Sequence, residues 1–391
     1  MPKRESLNRN ILKWARKSPK VSLEKAAARI SKSCKSERIR DWESPEGREF
    51  PTVKQVEKLA KLYRRPAEVF YMSYIPPDYP LLKDFRSNKE EGMDTGLVFM
   101  MREIQERQDW LSTYLKSSKA KILPFVGKYN IKDNPAEVAA DIRRVLAIRQ
   151  AKPGEKALKV WIDQAEKKGI YISLSSNYHT RLKLSSDSFS GFAVSDKYAP
   201  FIFINSEAWE HDQIFALIHE LAHIWINVSG ISVDVGMNEN KVRNLHIVER
   251  FCRVVAEEAL LPQDLVEEFL RVKGELKLKN ISTAGRRLGI SNQDFLLRSK
   301  KLGLLEESLF KQLYAEAETA WKVFLYKESV KPKSKGGPNY YIMQLRRGGR
   351  SFSSTVLSLH KSGKLSAERA SKLLNVKEGN FGKFEKFVFG K

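Results

Sequence analysis

Thirteen consecutive residues, Ile214 to Ile226 (IFALIHELAHIWI), are apolar at every position except His219, Glu220 and His223. A helix that is apolar all round is one enclosed by protein. Three polar groups inside it each cost free energy unless something satisfies them. Any fold of this chain must therefore wrap a core around this segment and supply partners for those side chains. Helix positions i and i+4 differ by about 40° of rotation, which projects the imidazoles of His219 and His223 side by side, whereas Glu220 lies about 100° from His219. Two neighbouring imidazoles suit two ligands of one tetrahedral Zn2+. A carboxylate that stands off the cation suits a general base acting on water, as in H-E-x-x-H peptidases.

A third ligand has to come from elsewhere in the chain. A helix is expected over residues 242–261, ended by Pro262, with an apolar stripe through Leu245, Val248, Cys252, Val255, Ala256 and Ala259. Glu249 falls at the edge of that stripe, where a charged group needs a partner, and it is the first candidate. His246, one position off the face and near the helix start, is the second. Glu257 and Glu258 point off the stripe and read as solvated. The chain has two cysteines, Cys34 and Cys252, far apart in sequence. That argues against a disulfide framework, suits a reducing compartment, and leaves both as small buried hydrophobes.

At 391 residues the chain exceeds a usual single domain, so two to four units are expected. Short helices are predicted over Leu7–Lys17, Ser22–Ile30, roughly Lys35–Glu43, and Thr52–Tyr63, where Thr52 and Gln55 form a capping box and Ser22 is a further N-cap. The prolines of Tyr74-Ile-Pro-Pro-Asp-Tyr-Pro80 place a boundary near residue 80. Residues 96–116 and 135–149 read as amphipathic helices. From Gly169 the pattern turns to strand: GIYISLSS at 169–176, SFSGFAVS at 188–195 and PFIFIN at 200–205 predict a small three-stranded sheet. Helices follow over about 211–227 and 242–261, and Ile281–Leu305 has a helix-turn-helix pattern. KSKGGPN at 333–339 reads as a linker, and the tail as a strand followed by a helix that ends in LSAERASKLLNV.

The formal net charge is +23, and it gathers at the two ends: residues 1–50 hold 14 basic and 7 acidic side chains, residues 327–391 hold 15 and 4. Such a balance favours polyanionic partners or serves solubility. No apolar run suits a signal peptide or a membrane span, so a cytoplasmic protein without membrane contact is expected.

Gly191-Phe192, PFIFINS, IFALIHELAHIWI and VERFCRVVAEEALLP, in that order, resemble the ImmA/IrrE family of zinc metallo-endopeptidases. The resemblance implies a gluzincin-like site in which His219, His223 and Glu249 bind zinc and Glu220 is the catalytic base. Arg253 stands where the related pattern commonly has Asn. At the N-terminus, Leu12-Lys-Trp-Ala-Arg16, SLEKAAARI, IRDWE, FPTVKQVEKLAKLY and KDFR at 83–86 resemble the Xre-type helix-turn-helix often fused to this peptidase. If residues 22–43 form that motif, Lys35, Ser36, Arg38 and Arg40 face a DNA major groove while Ile39 and Trp42 pack inward.

The resemblance also implies regulation: members cut a repressor, often an Xre-type one, to release stress, mobile-element or phage genes, and some fused forms act as antitoxin-like regulators. The expected partners are thus a protein substrate, either a transcriptional repressor or a toxin–antitoxin component, and DNA, with a homodimer as a further option. The alternative to cleavage is a DNA-binding regulator or antitoxin that keeps the zinc fold and works by binding. The expected fold class is α+β and predominantly helical. It comprises an Xre-like helix-turn-helix domain over 1–80, a helical connector over 81–160 and a zincin-like (gluzincin-type) peptidase domain with a small sheet over 161–275. A helix-turn-helix-like helical segment over 276–330 and a small basic C-terminal domain over 331–391 complete it.

Overall fold

Helix starts are fixed by local chemistry along much of the chain. The structure, a computed structural model, describes residues 6–76, 78–79, 82–84, 95–152, 154–175, 177–179, 182–183, 189–232, 246–271, 276–331 and 339–390. These group into two units, one from the described residues within Met1–Leu81, Glu91–Glu106 and Asn177–Lys183, the other from those within Leu82–Glu90, Arg107–Ser176 and Leu184–Lys391. The predicted linker falls almost wholly outside the described residues, as do parts of the predicted boundary near residue 80 and of KDFR.

In the first unit, helices α1 (Arg9–Lys17), α2 (Leu23–Ile30), α3 (Ser36–Glu43) and α4 (Val53–Tyr63) precede a 3-10 turn over Ala67–Tyr71. The predicted capping box is formed: Gln55 N–H donates to Thr52 Oγ1 at 3.3 Å and Thr52 N–H to Gln55 Oε1 at 2.8 Å. Ser22 caps α2 by accepting from Lys25 N–H at 3.1 Å. The core between the helices holds Ile11, Leu12, Ala26, Ile39, Trp42, Leu59, Tyr63 and Phe70. Across it, the Arg16 guanidinium grips both carboxylate oxygens of Glu43 at 2.7 and 2.8 Å and donates to Val21 O at 2.9 Å. A bidentate buried pair of this kind fixes how α1 meets α3, because either charge left alone would be costly. Helix α5 (Thr95–Ser117) contributes Thr95–Glu106 to this unit and continues into the second.

The second unit is built on a mixed five-stranded sheet. The three predicted strands are found as β2 (Tyr171–Ser175), β5 (Gly191–Val194) and β6 (Phe201–Asn205). Two more, β1 (Lys83–Asp84) and β7 (Gly230–Ser232), are too short for an alternating pattern to register. β3 (Asn177–His179) and β4 (Leu182–Lys183) pair separately in the first unit. In the sheet order β1-β7-β5-β6-β2, the outer pairs β1·β7 and β6·β2 are parallel while β7·β5 and β5·β6 are antiparallel. Against the sheet pack α7 (Ala157–Lys167) and α8 (Glu210–Trp225), and on α8 pack α6 (Pro135–Leu146) and α9 (Ile247–Leu260), followed by α10 (Gln263–Leu270), α11 (Leu278–Leu288), α12 (Asn292–Lys301) and α13 (Glu307–Ser329). The predicted helix-turn-helix pattern over 281–305 coincides with α11 and α12. Among the described residues no helix is long and apolar enough to cross a membrane.

The tail departs from expectation. Its described residues form helices α14 (Tyr340–Gly348), α15 (Arg350–Lys361), α16 (Ala367–Leu374) and α17 (Phe381–Phe389), with one 3-10 turn and no strand. The strand expected before the final helix is replaced by helix, and strand preference is easily overridden by tertiary packing. Phe352 sits edge-on to Trp110 and Phe201 at 5.9 and 5.6 Å, and Arg107, which is buried, donates to Leu373 O and Arg347 O at 3.1 Å each. Gly349, at φ +76°, lets the chain turn between α14 and α15 where a Cβ would lie 2.4 Å from Ile172 O.

Glu166 of α7 accepts from Ser351 N–H at the start of α15. Burial pushes its carboxyl from the usual 4.5 up to about 7, outweighing the N–H groups of Arg350 and Ser351 that favour the anion. Between those two pH values the folded chain keeps a proton that the unfolded chain has lost. Stability therefore falls as pH rises from about 4.5 to about 7 and levels off above, a loss of about 3 kcal/mol. Glu166→Gln is expected to remove that slope, measured as chemical-denaturation midpoints from pH 5 to 8; an unchanged slope would contradict it.

Candidate metal centre

Helix α8 runs through the middle of the second unit, against β5 and β6 on one side and α6, α7 and α9 on others. Every residue from Gln213 to Trp225 is buried, as the all-round apolar pattern requires. Its last carbonyls are satisfied from outside the helix, by Gly127 N–H on Ile224 O and Tyr129 N–H on Trp225 O, both at 3.1 Å. The Trp225 indole stacks on Phe125 at 4.5 Å and donates to Asp141 at 3.0 Å. Helix α9 is held in turn by Arg143, which donates to Ala259 O at 2.8 Å, and by Arg298, which donates to Leu261 O at 3.0 Å.

Where α8 faces α9, three predicted residues meet. His219 Nε2 lies 3.1 Å from Glu249 Oε2, His223 Nε2 lies 3.1 Å from Glu249 Oε1, and the two Nε2 atoms are 3.3 Å apart. His223 and Glu249 have no exposed surface and His219 is 6% exposed. Four bonds of about 2.0–2.2 Å to one cation give tetrahedral edges of about 3.3–3.6 Å, and separations of 3.1, 3.1 and 3.3 Å come within a few tenths of an ångström of those. Without a cation, the two Nε2 atoms and the carboxylate point at a common centre with too few N–H groups to satisfy every facing pair. The donor set therefore fits a metal cation.

The electrostatics agree with that geometry. Burial would raise the Glu249 carboxyl, but His219 and His223 outweigh it and hold it at about 2. Burial lowers His219 against the pull of Glu249. His223 is raised well above its usual value despite burial, because Cys252 and Glu249 both favour its cation. A compact pocket that stabilises positive charge at this point is what a metal site needs.

Glu220 is fully buried on the face of α8 turned toward β5. A Cβ at Gly191 would come 3.3 Å from Glu220 Oε1 and 2.7 Å from Phe203 O, so only glycine lets the strand and the carboxylate approach this closely. His246, the competing third ligand, is the N-cap of α9, where its Nδ1 accepts from Val248 N–H at 3.2 Å. The first five residues of the helix expected from 242 fall partly outside the described residues; the described helix begins at Ile247.

Two expectations for α9 need correction. Glu257 is 1% exposed rather than solvated, and pairs with Arg253 at 2.9 Å and with Lys301 at 2.8 Å. Glu258 pairs with Arg298 and is largely covered. A single apolar stripe identifies one buried face, but α9 is also flanked by α12, whose cations come from a distant part of the sequence. A further residue was passed over. Cys252, fully buried, has its sulfur within 4.8 Å of ligand atoms of both His219 and His223. It lies three residues after Glu249, on the same face, and that spacing was the available signal.

The candidate DNA-contact residues belong to the first unit. Lys35, Arg38 and Arg40 are exposed and Ser36 is half-buried, while Ile39 and Trp42 are fully buried. Arg38 pairs with Glu49 at 2.9 Å and lies over the Trp42 ring at 5.4 Å.

An α+β unit with a buried two-histidine, one-carboxylate cluster and a second glutamate beside it defines a metallopeptidase-like class. Residues 165–298 match the IrrE N-terminal-like domain, a peptidase family domain, and the match runs from the end of α7 into α12 and so covers the whole cluster. No curated protein matches the sequence. Gly191→Ala is expected to cost about 1–3 kcal/mol by forcing β5 away from Phe203 O and Glu220. Urea denaturation measures it, and a neutral outcome would mean that the close approach is not a constraint.

Proposed function

We propose that this chain is an intracellular zinc-dependent endopeptidase that cleaves a regulatory protein, a transcriptional repressor or a toxin–antitoxin component, and so controls stress, mobile-element or defence genes. The observation that carries this reading is the convergence of His219, His223 and Glu249 on one point, with Glu220 on the same helix but off that point. In it, His219, His223 and Glu249 are the metal ligands. Bound zinc supplies Lewis-acid polarisation of the scissile carbonyl and of the attacking water. Glu220 takes the proton from that water and passes it to the leaving amine, a role worth on the order of 10²–10⁴ in rate. The likeness of residues 165–298 to the IrrE N-terminal-like domain supports the peptidase part of this reading, and the regulatory substrate is what the resemblance of the sequence motifs to the ImmA/IrrE family implies.

The test is Glu220→Gln, which keeps the shape of the side chain and removes the base. Purified variant is expected to hold as much zinc as wild type by elemental analysis and to lose cleavage of the repressor partner, followed by mass spectrometry of new N-termini. Cleavage that persists in the variant contradicts the assignment of the base.

A second reading, regulation by DNA binding through α2 and α3, is favoured by the exposed cations Lys35, Arg38 and Arg40 beside the buried Ile39 and Trp42. Replacing all three with Ala is expected to weaken promoter binding and to reduce the slope of log K against log salt by about 0.9 per lost phosphate contact. Binding that is unchanged and flat with salt rules this reading out.

A further inference from the structure

Beyond the three ligands and the base, the centre contains a fourth potential donor for which the two-histidine, one-glutamate scheme has no use. The Cys252 sulfur and ligand atoms of His219 and His223 all lie within 4.8 Å of one another. None of the Cys252 surface is exposed. Cys252 belongs to the apolar core of the second unit, yet it also meets the polar centre, since His223 is in side-chain contact with it. It lies three residues after Glu249 on α9, with its sulfur near both histidines.

We propose that Cys252 is the fourth ligand of the metal, closing the centre as a two-histidine, one-carboxylate, one-thiolate site. This rests on the zinc reading above. The donor chemistry is suitable, since thiolate, imidazole and carboxylate are all zinc ligands and a closed set of four is the usual structural arrangement. A tetrahedron with one sulfur has S···N edges of about 3.6 Å, shorter than the 4.8 Å limit within which these atoms lie and within the range of a side-chain adjustment. The consequence is regulatory. A peptidase needs one open position for water and substrate beside its base, and in a closed set of four the Cys252 sulfur, within 4.8 Å of ligand atoms of both histidines, would take that position. The resting chain holds its metal firmly and is closed to substrate until the sulfur leaves.

The experiment is X-ray absorption at the zinc edge on the full wild-type chain, with no variant required. The expected shell has one sulfur at about 2.3 Å together with nitrogen and oxygen at about 2.0–2.2 Å. Stoichiometric zinc with a nitrogen and oxygen shell alone overturns the proposal and leaves the peptidase reading standing. Protein that takes up no zinc overturns both. Closure is tested on cobalt-loaded Cys252→Ala and Cys252→Ser, the latter keeping nearly the wild-type volume in case the smaller side chain does not fold. Both variants are expected to lose the thiolate-to-cobalt absorption and to release metal to a chelator on the order of tenfold faster or more. Acetohydroxamate, a probe that requires an open position, is expected to change the cobalt spectrum of the variants at concentrations at least about tenfold below those needed for wild type. Equal response of wild type and variants shows that the position was open already, and overturns the closure.

Discussion

Burial of ionisable groups at the contact of α8 and α9 is the constraint on which the second unit depends. Glu220, His223 and Glu249 have no exposed surface, and a charge placed there without compensation would cost several kcal/mol. The protein meets that cost for Glu249, His219 and His223 by concentrating them, so that the carboxylate is the partner of both imidazoles. The same logic extends outward along α9, where Arg253, Glu257 and Lys301 form a covered ion-pair chain and Arg298 ties Glu258 to the end of the helix. These pairs hold α9 in rotational register. If the helix turned by one residue, Glu249 would leave the histidines and Glu257 would lose its cations.

The sheet supplies the opposite wall of the centre. Strand β5 presents Gly191 to Glu220 and is fixed on both sides by antiparallel pairing with β6 and β7. Behind β2, the four tail helices are docked by the Phe352 ring between Trp110 and Phe201 and by the buried Arg107. Among the described residues of the tail, the basic side chains from Arg346 to Lys386 are carried by these helices and their turns. In the first unit the Arg16–Glu43 pair plays the organising role, since it joins α1 to α3 across an otherwise apolar core.

The second unit carries a metallopeptidase-like cluster in which His219, His223 and Glu249 converge and Glu220 is buried on the helix of the two histidines. The Cys252 sulfur lies within 4.8 Å of ligand atoms of both histidines. Under the proposal that this sulfur binds the metal, tight retention and openness to water would be alternatives.

The sequence by itself determined the elements whose cause is local. Thr52 and Gln55 announce the start of α4 because both halves of the capping box lie within four residues, and the run from Ile214 to Ile226 announces a buried helix because apolar residues occupy every face of it. The pairing of His219 with His223 was legible for the same reason, as a consequence of helical pitch. Tertiary structure alone decided what lies opposite. That Glu249 reaches both imidazoles, that Glu257 meets Lys301, and that the strand-like tail becomes helix under Phe352 are outcomes of contacts between segments tens to hundreds of residues apart. Periodicity records which face of an element is covered, and it carries no information about which residue covers it; the sulfur of Cys252, apolar by pattern and a donor by position, shows that difference most plainly.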